Sequence, residues 1–384
     1  MLNLPGIRKE PKHHRNHRRE KKLWHDGRNH TPSLGCSACA DRELCGGLYI
    51  EHPFYHCLDN CCGNPGKCDA VCRNKPREFA QRVREIGGFR LDNVPRAARL
   101  PEPPLPPVVP VLFHGNIREA PFAPPAVCVP LYRIIARHRG EERYGDAAAV
   151  AAAFRFRAGT PLILTGTADD GPLERWWSLG SGRLDAIRRL RDLGVELVTT
   201  PNFSLFTDQP RWDDLHSMKR IALTHEEFLR EGMPAALHVN ARTERDWERW
   251  TEYIRLRSEV THVAFEFATG AGWAGRIDWQ VAQLTALAQG AGRPLHLVVR
   301  AANGNILPRL VSAFGATTVL DTTLFIKAVH RQRAVETANG RIEWEKSPTP
   351  PNAPVDELLR HNWSVVSRSF DPGFGKTAIQ HAAE

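Results

Sequence analysis

The sequence predicts an α/β protein built on a parallel (βα)8 barrel of the TIM type, preceded by a cysteine-rich metal-binding lobe. From about residue 108 onwards, eight short β-branched runs alternate with helical patterns, and eight parallel strands are the number that closes a barrel. Eight of the nine cysteines lie within residues 36–72, which predicts the lobe. An open doubly wound sheet is the alternative. It is less favoured because no Gly-rich phosphate fingerprint follows the first strand.

Composition narrows the class of protein. A chain of 384 residues with 42% hydrophobic content is long and apolar enough to bury a sizeable core. The formal net charge of +9 favours a polyanionic partner. No apolar run approaches the roughly 20 residues that cross a bilayer, and no hydrophobic stretch follows the basic N-terminus as in a secretory signal. We therefore expect a cytoplasmic protein without a membrane partner.

Residues 1–33 form a basic tail rich in Lys, Arg and His. The tail has too few apolar residues to bury, so we expect disorder when it is free. It has two interpretations of equal weight. One is an arm that contacts the phosphates of a nucleic acid, and the other is a solubilising tail.

Residues 34–76 form the cysteine-rich lobe, in which order would come from ligated metal rather than from hydrophobic burial. In a reducing compartment such a block indicates metal ligation before disulfides. The string CxxCxxxxxCGG resembles ligand segments of auxiliary iron–sulfur domains in radical enzymes, so an iron–sulfur cluster is favoured over zinc, with disulfides or free thiols third. The predicted metal ligands are Cys36, Cys39, Cys45, Cys57, Cys61, Cys62, Cys68 and Cys72.

The remaining segments follow from local pattern. Residues 77–107 contain a short amphipathic helix that ends at Gly87-Gly88, and then a Pro-rich linker of polyproline type. Residues 108–336 form the barrel, and residues 337–384 a Pro-rich hinge with a C-terminal helix and tail. The predicted strands are Val108–Phe113, Val127–Leu131, Pro161–Leu164, Val195–Thr199, Ala235–Val239, His262–Phe267, Leu295–Arg300 and Thr318–Asp321.

In a barrel of this type the functional residues lie on the loops after the C-terminal ends of the strands. Carboxylates, amides and an arginine in those loops predict a site for a small polar or phosphorylated ligand. Glu266 is the foremost candidate acid or base, because it lies between two phenylalanines in a strand and would be desolvated if it points inward. The candidate catalytic residues are Glu266, Asp169 and Asp321. The candidate ligand-binding residues are Asn202, Ser204, Asn240, Arg300 and Asn303.

The segment from Pro201 to Phe206 reads Pro-Asn-Phe-Ser-Leu-Phe. It resembles the Pro-(Asp/Asn)-Phe-Ser-Leu-(Tyr/Phe) motif of an uncharacterised domain family of bacteria, archaea and phages, over roughly residues 195–270. The resemblance implies an α/β fold with a functional loop at this point, but no particular activity. The family more often has Asp where this chain has Asn202, which argues against an acid or base role at that position.

Three functions are compatible with these patterns. The first is an enzyme that acts on a nucleotide or nucleic-acid component at the barrel mouth. The second is a non-enzymatic nucleic-acid-binding protein of a phage or mobile element, with the cysteine block as a zinc-stapled lobe. A purely structural or partner-binding protein is the third.

Overall fold

A computed structural model describes residues 84–135, 143–205, 211–268, 276–302, 304–338 and 340–370. The predicted basic tail, the eight cysteines of the predicted metal lobe and Asn303 lie outside these ranges.

The main sheet has eight parallel strands, and helices connect most of them. The strands are β1 (Val108–Pro110), β2 (Val127–Pro130), β3 (Leu162–Thr165), β4 (Val195–Thr199), β5 (Ala235–His238), β6 (His262–Glu266), β7 (His296–Arg300) and β8 (Ala316–Asp321). An antiparallel hairpin of β9 (Gln332–Glu336) and β10 (Ile342–Lys346) follows the barrel.

Ten helices complete the described secondary structure. They are α1 (Leu131–Ile134), α2 (Ala147–Phe154), α3 (Asp170–Ser178), α4 (Gly182–Asp192), α5 (Arg211–Arg230), α6 (Glu244–Arg255), α7 (Ile277–Gly290), α8 (Leu307–Ala313), α9 (Thr323–Val329) and α10 (Asp356–Arg368). Of the described helices, none combines the length and the apolar character that a bilayer crossing requires.

The sheet curls into a nearly closed barrel. Its strand order is β1-β8-β7-β6-β5-β4-β3-β2, so β1 and β2 are the two ends. They meet at a parallel bridge between Val111 and Cys128. Here the chain changes partner, because Val111 N donates to Asp321 O of β8 and Leu112 N donates to Cys128 O of β2, both at 2.8 Å. The prediction of a TIM-type barrel is confirmed. Because the chain leaves β8 for β2 after Pro110, β1 is shorter than the predicted strand Val108–Phe113.

Alternation of side chains along each strand divides the core into two parts. One set points into the barrel, where small and branched residues pack in layers. This inner core contains Val109, Val111, Ala126, Cys128, Ile163, Leu197, Ala236, Ala264, Val298 and Leu320. The alternate residues pack outwards against the helices in a second, larger cluster. Because both faces of each strand are buried, the strands appear in the sequence as short continuous apolar runs.

Local sequence determines where several helices begin. Thr243 and Asp246 form a capping box at α6, in which Thr243 Oγ1 accepts from Asp246 N at 3.1 Å and Asp246 Oδ2 accepts from Thr243 N at 3.0 Å. Asp146 caps α2 by accepting from Ala149 N at 2.7 Å. These bonds satisfy N–H groups that have no partner inside the helix.

The connection from β1 to β2 contains no helix, and α10 packs against it instead. Asp356, the first residue of α10, accepts from Glu119 N at 2.9 Å and from Ala120 N at 3.1 Å. Further along the helix, the ring of Trp363 meets that of Phe122 edge-on at 6.0 Å. The helix α10 therefore lies against the β1–β2 connection, which in an ordinary (βα)8 barrel would contain the first helix.

Residues 84–107, which we call the N-terminal strap, run along the outside of α5 and α6 before entering β1. Cationic side chains of that face donate to strap carbonyls: Lys219 to Arg90, Arg249 to Phe89 and Arg257 to Pro95. Burial lowers the pKa of Lys219 to about 8. The strap is thus fastened by buried polar contacts and packs as part of the barrel.

Candidate active site at the barrel mouth

Three adjacent strands each end in an ionisable residue: His238 ends β5, Glu266 ends β6 and Arg300 ends β7. Two residues before each of them stand Ala236, Ala264 and Val298 of the inner core. Because side chains alternate along a strand, all three ionisable side chains also point into the barrel, one layer nearer its C-terminal mouth. We call His238, Glu266 and Arg300 the mouth triad.

Glu266 and Arg300 are direct partners in the register of β6 and β7. Glu266 Oε2 lies 3.0 Å from Arg300 Nε, and Oε1 accepts from Ala268 N at 2.8 Å. Only 2% of the Glu266 side chain and 18% of the Arg300 side chain are exposed. The burial raises the pKa of the Glu266 carboxyl, while the charge of Arg300 and the Ala268 N–H oppose that rise.

The ion pair between Glu266 and Arg300 is close but poorly aligned. Although their atoms are 3.0 Å apart, neither Glu266 Oε2 nor Arg300 Nε makes a hydrogen bond of proper geometry within the described structure. A buried carboxylate oxygen or guanidinium N–H without a well-aligned hydrogen-bond partner lowers the stability of the folded protein. Both atoms are themselves buried, so a ligand in the mouth gains access to this hydrogen-bonding capacity only when one of the two side chains moves.

His238 is held as a neutral imidazole with one nitrogen available. Its Nδ1 lies 2.5 Å from Thr200 O, and since a carbonyl only accepts, Nδ1 carries the proton. Nε2 is then the acceptor, 3.5 Å from Thr167 Oγ1. Burial, opposed by the bond to Thr200 O and assisted by the charge of Arg300, lowers the pKa of His238 to about 4. At neutral pH the residue offers an unprotonated Nε2.

The sequence interpretation missed His238. The available signal was a histidine at the C-terminal end of an otherwise apolar strand, in the run AALHV. In a parallel barrel the C-terminal end of a strand lies at the mouth, so His238 is a candidate functional residue for the same reason as Glu266. A buried structural histidine would produce the same pattern in the sequence.

An amide network lies beside the triad. Asn240 Nδ2 donates to Asn202 Oδ1 and to Phe203 O, both at 3.1 Å, and Arg242 Nε donates to Leu205 O at 2.7 Å. The network orients Asn202 so that its Nδ2 donors are directed away from Asn240. The structure thus brings the predicted ligand-binding residues Asn202 and Asn240 into contact.

Gly166 joins this network to the triad. It follows β3, and its carbonyl accepts from Asn202 N at 3.3 Å. A Cβ at this position would lie 2.4 Å from Thr199 O and 2.6 Å from Thr200 O. Only glycine allows the approach, which positions the Thr200 carbonyl that holds His238.

The other predicted residues lie at the edge of the mouth or serve local structure. Asp169 is exposed immediately before α3, and Ser204 Oγ donates to Asp170 Oδ1 at 2.6 Å. Asp321 ends β8 and accepts from Leu324 N at 2.7 Å in the first turn of α9, and burial raises its pKa. These bonds give Ser204 and Asp321 local structural roles, whereas Asp169 precedes α3 without a side-chain capping bond.

Metal ligation and the groove beside the N-terminal strap do not provide a second candidate site among the described residues. No group of three or more His, Cys, Asp or Glu side chains in these ranges could hold a metal ion. A groove of about 500 Å³ between the N-terminal strap and α6 is lined by five arginines and three carboxylates. Its arginines largely fasten the strap to the barrel, so we place the candidate site at the mouth.

Comparison with known proteins adds no assignment. A scan against protein-family models finds no match, and a search of curated proteins finds no similar sequence. The fold defines a (βα)8-barrel α/β protein, whose mouth holds a buried Glu–Arg pair beside a neutral histidine. The family resemblance of residues 195–270 stays a prediction.

Proposed function

We propose that the protein is an enzyme that transfers a proton to or from a small polar substrate bound at the barrel mouth. The observation that carries the proposal is the convergence of the mouth triad from three adjacent strand ends. Its His and Glu have pKa values displaced in opposite directions, lower for His238 and higher for Glu266. Such displaced pairs in a concave site are characteristic of acid–base catalysis.

Each member of the triad has a role in this proposal. His238 Nε2 is the proton acceptor, because Nδ1 is committed to the Thr200 carbonyl. Glu266 is the proton donor, because burial favours its neutral form. Arg300, whose side chain remains partly exposed, binds an anionic group of the substrate. The donors of Asn202 orient the substrate's polar edge.

The substrate class that we propose is a nucleotide or a nucleic-acid component. It is supported by the net charge of +9, by the arginine in the mouth and by the basic residues 1–33. The test is to incubate the protein with a panel of nucleosides and nucleotides and to follow products by mass spectrometry. We expect turnover that is lost in His238→Gln and Glu266→Gln.

The same panel tests the alternative, a nucleic-acid-binding protein without enzymatic activity. The basic tail is the sequence feature that favours it. Salt-dependent binding of nucleic acid without turnover, unchanged in His238→Gln and Glu266→Gln, would establish the alternative and refute the enzyme. Deletion of residues 1–33 then shows whether the tail is the binding arm.

We further propose that the cysteine-rich segment carries an iron–sulfur cluster, with zinc as the alternative. The proposal is supported by eight cysteines within residues 36–72 and by their spacing. It presupposes a reducing compartment such as the cytoplasm. Iron with labile sulfide and a brown colour in anaerobically purified protein would support the cluster. Colourless protein with stoichiometric zinc would refute it.

A further inference from the structure

The Glu266–Arg300 pair is built in a way that favours exchange of partners. Its atoms are in contact at 3.0 Å, yet the hydrogen-bonding capacity of Glu266 Oε2 and Arg300 Nε remains unused. A pair that served only to staple β6 to β7 would gain most from aligned, bidentate geometry. This pair lacks that alignment, and one partner has access to the mouth.

The two partners differ in their access to solvent. Arg300 has 18% of its side chain exposed, so a ligand can reach it from the mouth, whereas Glu266 has 2% exposed. The charge on Glu266 is stabilised against burial by Arg300 and by the Ala268 N–H. If a second anion neutralises Arg300, a single backbone N–H would have to stabilise a buried carboxylate beside another negative charge.

We propose that an oxoanionic group of the ligand binds Arg300 in place of Glu266, and that Glu266 takes up a proton from solvent as this exchange occurs. The ligand group is a phosphate or a carboxylate. The inference rests on the proposed function, in which Arg300 binds the substrate and Glu266 donates a proton. Binding of the anion would itself load Glu266 with the proton that it donates.

The charges around Glu266 are consistent with this assignment. Arg300, from β7, is the charged side chain that acts on Glu266. The charge of Arg300 also helps to lower the pKa of His238, from β5, and it opposes the rise that burial causes in the pKa of the Cys128 thiol, from β2. His238 is therefore the other mouth residue that could take up the proton, and the experiment must separate it from Glu266.

The experiment is isothermal titration calorimetry of the full-length protein with sulfate and with acetate, whose charges are fixed between pH 6 and 8. Titrations in buffers of different ionisation enthalpy count the protons taken up. We expect affinity to fall as the pH rises, with proton uptake on binding. Tighter binding of sulfate than of acetate would indicate a phosphate on the natural ligand, and the reverse order a carboxylate.

Variants assign the two groups. Glu266→Gln preserves the acceptor for Ala268 N and should bind the anion with no proton uptake and no pH dependence. Arg300→Gln combined with Glu266→Gln removes both charges, avoiding a lone buried carboxylate, and should weaken binding by about tenfold or more. Arg255→Gln, at an exposed arginine paired with Glu252 on α6, is the matched control and should bind as the wild type does.

Three results would overturn the inference. They are the absence of anion binding, unchanged binding in the double variant, and proton uptake that persists in Glu266→Gln but disappears in His238→Gln. None of these measurements requires turnover. Failure of the exchange and failure of the proposed enzymatic function are therefore distinguishable.

Discussion

Acidification should destabilise the barrel through histidines that are buried in the neutral form. His225, on the inner face of α5, is 1% exposed, and its Nε2 lies 3.3 Å from Ala235 O. Burial lowers its pKa from an ordinary value of 6.5 to about 4. Between these values the unfolded chain binds a proton that the folded chain excludes. Stability is therefore lost as the pH falls through the window from 6.5 to 4.

The magnitude follows from the two pKa values of His225. Between pH 7 and pH 5, preferential protonation of the unfolded chain lowers the free energy of unfolding by about 2 kcal/mol, and by about 3 kcal/mol at pH 4. His238, which has the same depressed pKa of about 4, should contribute a similar loss. Together the two histidines account for about 4 kcal/mol between pH 7 and pH 5.

The assay is urea denaturation at pH 7 and pH 5, followed by tryptophan fluorescence, for the wild type and His225→Gln. The glutamine amide can donate to Ala235 O but does not titrate, so the variant should lose about 2 kcal/mol less than the wild type between the two pH values. His330→Gln, at an exposed residue after α9, is the control for removing an imidazole from solvent. An equal loss in His225→Gln and the wild type would refute the reasoning.

Further predictions concern glycine, capping and buried amide positions. Gly166→Ala places a Cβ 2.4 Å from Thr199 O and should cost about 1–3 kcal/mol in urea denaturation, whereas Gly171→Ala, whose Cβ meets only a flexible arginine tip at 3.4 Å, should be neutral or stabilising. Equal effects would contradict the close approach at Gly166. Asp246→Ala breaks the capping box of α6 and should lower the unfolding free energy by about 1–2 kcal/mol. Asn362→Leu leaves Ala334 N and Gln332 O without their side-chain partner on α10 and should cost about 2 kcal/mol or more, which an unchanged urea midpoint would disprove.

Much of the barrel could be predicted because parallel strands buried on both faces appear in the sequence as continuous apolar runs. Runs such as Val195–Thr199 are continuous and β-branched, and helix starts such as Thr243 depend on residues three positions away. The helix at Asp170–Ser178 is harder to recognise from the sequence, since its Asp-Gly-Pro start is also typical of a turn.

The mouth was predicted in part. Glu266 and Arg300 were named as candidates because of their places at strand ends, and their pairing follows from the register of β6 and β7. A shift of one residue in that register would turn one of the two side chains out of the barrel, and register depends on packing across the whole sheet. The position of His238 at a strand end is also visible in the sequence, but only its contact with Thr200 O shows that Nδ1 carries the proton and that Nε2 is the acceptor.

The sequence by itself determined the eight strands of the barrel, their buried character and the local signals that begin and end most helices, because these depend on neighbours within a few residues. Tertiary structure alone decided which residues meet. It placed α10 over the helix-free connection between β1 and β2, and it fastened the N-terminal strap to α5 and α6. It also brought three strand ends, separated by about 30 residues each, together in one candidate site. Contacts between such distant positions depend on closure of the sheet, which no local pattern encodes.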